Sequence, residues 1–250
     1  MNELETLVEI YRPMVRQGPG SRETTVRAID LADLRGGCDL RIADIGSGTG
    51  AASMDLAREL TAEVVAVDFI SAFLSELETR ANDAGLGDSV TTCEASMVDM
   101  PFAAAEFDCL WSEGAIYNMG FAEGVQAWRH FLKPGGVLAV SEITWLTADR
   151  PAEIEEYWRR EYPQIDTAGA KIEILEHSGY TPSGYFVLPR QCWEQEFYEP
   201  VEARLLDVAQ EHRGDESVQT VIQAHFDEIA LYRRYSEFFS YGFYIATRTA

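Results

Sequence analysis

The chain has 250 residues, 46% of them hydrophobic, which is typical of one soluble globular domain with a full core. Its 42 acidic and 20 basic residues give a net charge of −22. This charge argues against nucleic acid and anionic membrane surfaces as partners, because both would be repelled. No apolar run approaches the roughly 18 residues of a membrane span. Residues 1–10 carry three glutamates and no apolar core, so we predict no signal peptide and a cytoplasmic location.

The four cysteines lie far apart and lack the paired spacing that is typical of metal ligands. Cys93 and Cys109 fall in predicted strands, where a small buried hydrophobic side chain is the simplest interpretation. We therefore predict no metal site.

Two helices are predicted before the first strand. Apolar residues recur with helical spacing over Leu4–Met14 and again over Glu23–Leu34. The turn-rich loop 16–21 between them is either a plain linker or a lid over the mouth of a ligand site. As a lid it would bring three polar side chains to the ligand: Arg12, Arg16 and Gln17.

A glycine-rich loop follows the first predicted strand. The apolar run at residues 42–45 predicts a buried strand, and a helical pattern begins at Ala51, so residues 46–50 form the turn between them. Glycine accepts positive φ and lets a ligand lie against bare backbone. The first amides of the next helix are unpaired donors. Such a loop lies where an open parallel sheet exposes its ligand crevice.

Two ligand classes use such a turn. A dinucleotide site has Gly-x-Gly-x-x-Gly or Ala, which Gly46, Gly48 and Ala51 satisfy loosely. Gly46, Gly48 and Gly50 preceded by the acid Asp44 instead resemble motif I of the class I S-adenosylmethionine-dependent methyltransferases. A carboxylate here would repel a pyrophosphate, whereas S-adenosylmethionine carries an ammonium and a sulfonium. The choice between the two classes depends on the rest of the chain.

A second acid ends the next predicted strand, Glu63–Val67. Asp68 lies 18 residues beyond Gly50, where α/β nucleotide sites place a carboxylate on the ribose hydroxyls. We predict that Asp68 accepts hydrogen bonds from both hydroxyls and that Phe69 presses on the base. An exposed acid at the end of a strand is the alternative.

A helix over Ile70–Ala84 and a strand over Ser89–Glu94 come next. The segment 95–102 that follows resembles the part of the methyltransferase family that closes over the adenine. The resemblance implies that Ser96 hydrogen-bonds the base edge and that Met97 covers its face. Met97 is also a plausible core residue on its own.

The fourth predicted strand, Glu106–Trp111, is followed by a helix over Glu123–Leu132. Lys133–Gly136 is predicted to be a tight turn into a fifth strand, Val137–Glu142. This helix–Pro-Gly-Gly–strand passage also resembles the methyltransferase family, where it leads into the fifth strand. The resemblance therefore covers residues 45–142, with four segments agreeing in order and spacing.

Beyond Glu142 the sequence becomes aromatic and charged. The resemblance implies an α/β fold with a Rossmann-like, doubly wound, seven-stranded sheet whose last strand is antiparallel. We expect one domain over residues 1–250. Its parts are N-terminal helices and lid loop at 1–35, a cofactor-binding core at 36–143, and helical cap insertions at 145–165 and 190–235.

Methyl transfer is an in-line displacement, so positioning of the two reactants matters more than covalent catalysis. A general base is needed only if the acceptor enters protonated. Glu113 is the best candidate for chemistry, because the family places residues that line the methyl-transfer pocket after the fourth strand. Capping of a helix N-terminus is its alternative role. Tyr117 is the second catalytic candidate, positioned to orient the acceptor.

The other candidates fall into two groups. The predicted cofactor-binding residues are Asp44, Gly46, Ser47, Gly48, Gly50, Asp68, Phe69, Ser96, Met97, Ser112 and Gln17. The predicted substrate residues are Arg12, Arg16, Asn118, Glu142 and Trp145. Aromatic residues such as Trp145 could surround an amine through cation–π contacts, or could simply form the interior of the cap.

The predicted function is transfer of a methyl group from S-adenosyl-L-methionine to a small molecule. Three alternatives remain open: a protein methyltransferase, a non-catalytic regulator that binds S-adenosylmethionine, and an NAD-dependent oxidoreductase. The sequence does not identify the acceptor, and it is compatible with a homodimer.

Overall fold

The computed structural model describes residues 1–250, folded around one mixed sheet. Its strands are β1 (Leu40–Ile45), β2 (Ala62–Asp68), β3 (Val90–Glu94), β4 (Phe107–Glu113), β5 (Leu132–Trp145), β6 (Asp166–Thr167), β7 (Tyr180–Val187) and β8 (Phe239–Arg248). The order across the sheet is β3-β2-β1-β4-β5-β8-β7, and the two-residue β6 pairs with β5 at the side.

Ten α-helices surround the sheet. They are α1 (Glu3–Tyr11), α2 (Arg22–Leu31), α3 (Ala51–Glu59), α4 (Ser71–Asp83), α5 (Phe121–Trp128), α6 (Ala152–Glu161), α7 (Ala168–His177), α8 (Arg190–Trp193), α9 (Glu199–Glu211) and α10 (Glu216–Tyr235). A π-helical turn, Glu194–Tyr198, joins α8 to α9, and short 3₁₀ turns lie at 34–36, 116–118 and 129–131. No helix has both the length and the apolar character needed to cross a bilayer.

The predicted fold is confirmed. Strands β1 to β5 run parallel, while β8 lies between β5 and β7 and is antiparallel to both. These seven strands form the predicted Rossmann-like sheet, and the short β6 is an addition that the sequence did not predict. The helix α6 lies inside the first cap insertion, which the sequence analysis expected to be helical.

The sheet register brings three acids to one edge. Asp44 of β1 pairs with Trp111 of β4, and Ile45 pairs with Val67 of β2. Because the strands are parallel, Asp68 and Glu113 at the ends of β2 and β4 come out at the same carboxyl edge. The glycine loop after β1 lies between them.

The predicted tight turn at Lys133–Gly136 is wrong. Strand β5 begins at Leu132 and continues through the Pro-Gly-Gly residues. Its pairing with β4 shifts there: Phe107 pairs with Leu132, but Cys109 pairs with Val137. The extra residues therefore form a bulge, which Gly135 permits with a φ of +79°.

The cap forms its own hydrophobic cluster above the sheet edge. Trp193 stacks on Tyr232 with ring centroids 4.6 Å apart, and Phe239 meets both rings. Ile10 and Met14 from the N-terminal segment belong to the same cluster. The N-terminal helix and the C-terminal cap thus pack together over the carboxyl edge of the sheet.

Candidate active site

Two adjoining cavities lie at the carboxyl edge of the sheet. The larger, about 200 Å³, contains Asp68, and we call it the Asp68 cavity. The smaller, about 80 Å³, contains Asp44, and we call it the Asp44 cavity. The residues that line both are Gln17, Gly46, Gly48 and Gly114. The two cavities are therefore the halves of one elongated site that crosses the glycine loop.

The glycine loop needs its glycines for different reasons. Gly46, Gly48 and Gly50 all have positive φ, at +74°, +55° and +85°. A Cβ at Gly48 would strike the side chain of Gln17, whereas a Cβ at Gly50 would strike Leu77 of α4. Gly46 and Gly48 line the two cavities, but Gly50 lines neither of them and lies instead against Leu77.

Asp68 holds the glycine loop from the larger cavity. Its carboxylate accepts a 2.9 Å hydrogen bond from the Gly48 amide and another of 2.9 Å from the Ile70 amide. Burial raises the pKa of Asp68, and these amides partly oppose that change. Phe69 beside it is 61% exposed and lines the same cavity, so its ring is free to meet a ligand.

Asp44 is the buried acid of the smaller cavity. Only 1% of its surface is exposed, and it accepts a 2.6 Å hydrogen bond from the Ser53 hydroxyl. Burial raises the pKa of Asp44 to about 7, and the nearby charge of Glu113 adds to the effect. The Ser47 hydroxyl in the same lining has no hydrogen-bond partner. This cavity can therefore offer a carboxylate and a free hydroxyl to a ligand.

Glu113 and Arg16 form a buried ion pair at the wall of the Asp44 cavity. One carboxylate oxygen accepts from Arg16 Nη1 at 2.8 Å. The other accepts from Thr25 Oγ1 at 2.7 Å and from Trp111 Nε1 at 3.0 Å. Arg16 also lies 3.4 Å from Asp55. The Glu113 carboxylate is thus engaged by three donors of this chain.

The loop 16–21 covers the site. Residues 16–19 line the Asp44 cavity, which favours the lid interpretation over a plain linker. Gln17 fastens this loop to the glycine loop: its Oε1 accepts from the Thr49 amide at 2.9 Å, and its Nε2 donates to Thr49 Oγ1 at 2.8 Å. The N-terminal segment is therefore part of the site, although it lies far from the sheet in sequence.

Some of the other predicted cofactor residues line a cavity, and others are buried in the protein interior or exposed to solvent. Met97 lines the Asp68 cavity, whereas Ser96 is exposed beside it. Ser112 is fully buried, and its hydroxyl donates to the Ile45 carbonyl at 2.8 Å. Successive strand residues point to opposite faces, so Ser112 and Glu113 cannot both face the cavity.

The predicted substrate residues are scattered. Asn118 lines the Asp68 cavity together with the catalytic candidate Tyr117. Arg12 lies in a separate outer groove, 4.0 Å from Glu76. Trp145 is buried in the cap under the guanidinium of Arg150, and Glu142 is buried at the sheet edge.

Sequence reasoning missed Gly114, which lines both cavities. Its φ is +62°, and a Cβ there would lie 2.8 Å from the ring of Tyr241. The available signal was a glycine directly after the acid that ends a strand. Thr25 and Asp55, which hold Arg16 and Glu113, carried no such signal.

We expect Glu113→Gln to lower the free energy of unfolding by about 3 kcal/mol, because it leaves the buried Arg16 without its nearest charged partner. The control is Glu155→Gln, which removes a carboxylate paired with arginines at the surface and should cost at most about 1 kcal/mol. Urea unfolding of both variants provides the measurement. Equal, small losses in the two variants would contradict a structural role for the Arg16–Glu113 pair.

Solved structures show the same fold. A methyltransferase from Geobacter sulfurreducens in complex with S-adenosyl-L-homocysteine matches with a TM-score of 0.83 and 16% identity, over 98% of each chain. The cyclase SpnF matches with a TM-score of 0.79 and 18% identity, over 100% of this chain and 96% of its own. The fold and the glycine-loop site define this protein as one of the class I methyltransferase fold.

Residues 42–136 match the family model described as a methyltransferase domain. The dimethylglycine N-methyltransferase of Parasynechococcus marenigrum is 39% identical over 125 residues, which is 48% of this chain and 43% of that protein. This chain thus spans less than half the length of that relative. The resemblance to class I S-adenosylmethionine-dependent methyltransferases is confirmed: residues 42–136 match the methyltransferase-domain model, and the whole chain shares the fold of the solved methyltransferase.

Proposed function

We propose that this protein binds S-adenosyl-L-methionine and transfers its methyl group to a small-molecule acceptor. The observation that carries the proposal is the two-part cavity across the glycine loop, with a buried aspartate in each part. Such a site suits a long ligand with a nucleoside at one end and a charged amino-acid portion at the other. The family match of residues 42–136 supports the same cofactor.

The residues of the Asp68 cavity suit the nucleoside. Each carboxylate oxygen of Asp68 accepts one hydrogen bond from a backbone amide. Each oxygen has a second lone pair, so the carboxylate can also accept hydrogen bonds from the two ribose hydroxyls. Phe69 and Met97 lie in the same lining and present apolar surface to a base. Gly48, without a Cβ, lets the ligand cross from one cavity to the other.

The residues of the Asp44 cavity suit the amino-acid end. The Asp44 carboxylate would attract the ligand's ammonium, and the unpartnered Ser47 hydroxyl has a hydrogen bond to give. When bound, S-adenosylmethionine supplies a methyl group that its sulfonium activates. The lid residue Gln17, fixed to Thr49, would cover the ligand and exclude water.

Glu113 serves, in this proposal, as a residue that positions Arg16 and the lid. Its three hydrogen bonds leave less capacity for the proton of an acceptor. Tyr117, at the opposite wall of the Asp68 cavity, exposes 43% of its surface and can turn toward an acceptor. Acceleration then comes chiefly from holding the two reactants in line.

Two observations favour a small molecule over a protein or nucleic acid as acceptor. Residues 16–19 of the lid loop line the Asp44 cavity, so the chain's own N-terminal segment covers that end of the site. The chain carries a net charge of −22, which opposes nucleic-acid binding. The curated relative whose name states dimethylglycine as its substrate also fits a small acceptor.

The fold alone does not fix the reaction, since a cyclase shares it. Calorimetry with S-adenosylmethionine is the first test, and release of S-adenosylhomocysteine in a panel of small molecules is the second. We expect binding and acceptor-dependent release. Binding without turnover on any acceptor would favour a regulator, labelled lysate proteins would favour a protein methyltransferase, and binding of NADH instead would remove the proposal.

A further inference from the structure

Two oppositely charged side chains are buried near the site without their expected partners. Lys171 of α7 is 0% exposed, and its Nζ has no hydrogen-bond partner. Glu142 of β5 is 1% exposed, and its Oε2 has no partner either. Its other oxygen accepts only from the adjacent Ile143 amide, at 2.8 Å. Buried polar atoms normally have a hydrogen-bond partner, so the lack of one at both Lys171 Nζ and Glu142 Oε2 suggests that a ligand can bind there.

The lack of a partner for Lys171 is unusual in this chain, which has 42 acidic residues and only two lysines. The other lysine, Lys133, lies 2.8 Å from Asp108. Lys171 instead faces aromatic rings, with Nζ 4.6 Å from the centroid of Phe121 and 5.8 Å from that of Tyr162. Burial lowers the pKa of Lys171, and it raises that of Glu142. Burial of each charged group without hydrogen bonds costs free energy, and a ligand that hydrogen-bonds to both groups would lower that cost.

One aromatic layer separates this pair from the Asp68 cavity. Tyr162 packs edge-on against Tyr117, with ring centroids 6.1 Å apart, and Tyr117 lines the cavity. Tyr117 lies on a short turn bracketed by Gly114 and Gly120, which have φ values of +62° and +91°. Neither Lys171 nor Glu142 lines either cavity, so an acceptor that reaches them from the Asp68 cavity would have to move the rings of both Tyr117 and Tyr162 aside.

Strand β5, which contains Glu142, also contacts a residue that lines the two cavities. Ser141, next to Glu142, accepts a 2.9 Å hydrogen bond from the Gly114 amide through its hydroxyl. Gly114 lines both cavities. Glu142 follows Ser141 in the same strand, so its backbone lies near the wall of the site while its side chain points to the other face of the sheet.

We propose that Lys171 and Glu142 bind the methyl acceptor and that this acceptor is an amino carboxylate. Lys171 would donate to its carboxylate, and Glu142 would accept from its ammonium or N–H. An anion alone would satisfy Lys171 but be repelled by Glu142, and a cation alone would satisfy Glu142 but be repelled by Lys171. A molecule with both groups satisfies both side chains. This inference rests on the proposed methyltransferase function.

The first experiment is calorimetric titration of the full chain, saturated with S-adenosylhomocysteine, with three matched probes. They are N,N-dimethylglycine, 3-methylbutanoate, which lacks the amine, and dimethylethanolamine, which lacks the carboxylate. Free α-amino acids and their N-methyl forms complete the panel. We expect at least one amino carboxylate to bind tenfold or more tightly than its matched probes, the effect of one charge-assisted hydrogen bond. If no amino carboxylate shows this preference, the proposal falls.

The second experiment uses the double variant Glu142→Gln with Lys171→Met. Removal of both buried charges together is expected to leave the fold intact, because neither charge remains unpaired. We expect unchanged affinity for S-adenosylmethionine and at least a tenfold loss of affinity for the amino carboxylate. If the pair only holds a water molecule, the double variant will bind the amino carboxylate as the parent does, which overturns the proposal.

The outcomes also separate this inference from the proposed function. Turnover on an acceptor that lacks either the amine or the carboxylate would overturn the inference while leaving the methyltransferase activity established. Failure of the chain to bind S-adenosylmethionine at all would remove both.

Discussion

Gly48→Ala is expected to weaken S-adenosylmethionine binding at least tenfold, about 1.4 kcal/mol. Gly48 has a φ of +55°, and an added Cβ would lie 3.1 Å from Gln17 Cδ, on the line where the two cavities meet. The methyl group would either narrow the passage or displace the lid residue Gln17. In both cases a ligand that crosses the glycine loop loses contact with one half of its site.

The matched control is Gly85→Ala. Gly85 also has a positive φ, +71°, but a Cβ there would meet nothing within 4 Å, and the residue lies outside both cavities. Both substitutions carry a similar backbone strain of roughly 1–2 kcal/mol. Calorimetry should therefore show a loss of affinity in the Gly48 variant alone. Equal affinities in the two folded variants would place the cofactor elsewhere.

The sequence predicted the two aspartates at strand ends and the glycine turn, because these depend only on the local residue pattern and on the order of the strands. Asp44 is the second-last residue of one apolar strand and Asp68 the last residue of the next, and parallel strands bring their carboxyl ends to one edge. The three glycines mark a turn because positive φ is easiest for glycine. These signals need no knowledge of distant contacts, which explains why the sequence alone could indicate that these residues lie together at one edge of the sheet.

The features that the sequence did not predict depend on packing between distant segments. Arg16 meets Glu113 across 97 positions, and Thr25 meets the same carboxylate across 88. Neither contact has a local pattern. Lys171 falls on a helix whose periodicity indicates only that some residues face the sheet, so its lack of a partner becomes visible only in the folded chain.

Ser112 shows a third limit of prediction from sequence, which is the direction in which a strand side chain points. It lies beside Glu113 at the end of β4, and the resemblance implied that both contact the ligand. Alternation along the strand turns one side chain into the cavity and the other into the sheet, where Ser112 bonds to Ile45. The order of residues gave the correct strand end, but the choice between the two faces required the neighbouring strands.

Asp44→Asn is expected to weaken S-adenosylmethionine binding by roughly 10- to 150-fold, the range of one hydrogen bond to a charged group. The asparagine has the same shape, and its side-chain carbonyl can still accept from Ser53. The fold should therefore survive, and only the attraction for the ligand's ammonium is lost. The control is Asp88→Asn, which removes one charge at an exposed position two residues before β3, at the amino end of that strand and so opposite the carboxyl edge that holds the cavities.

The pH dependence of binding tests the same carboxylate. Burial raises the pKa of Asp44 to about 7, so in the free protein the group gains a proton as the pH falls through neutrality. A cationic ligand prefers the ionised form, and its affinity should therefore fall about tenfold between pH 8 and pH 6. The Asp44→Asn variant has no proton to gain here, so its affinity should change little over that range, while Asp88→Asn should follow the parent. A parent profile that is flat, or a slope that persists in Asp44→Asn, would show that Asp44 does not hold the charged end of the ligand.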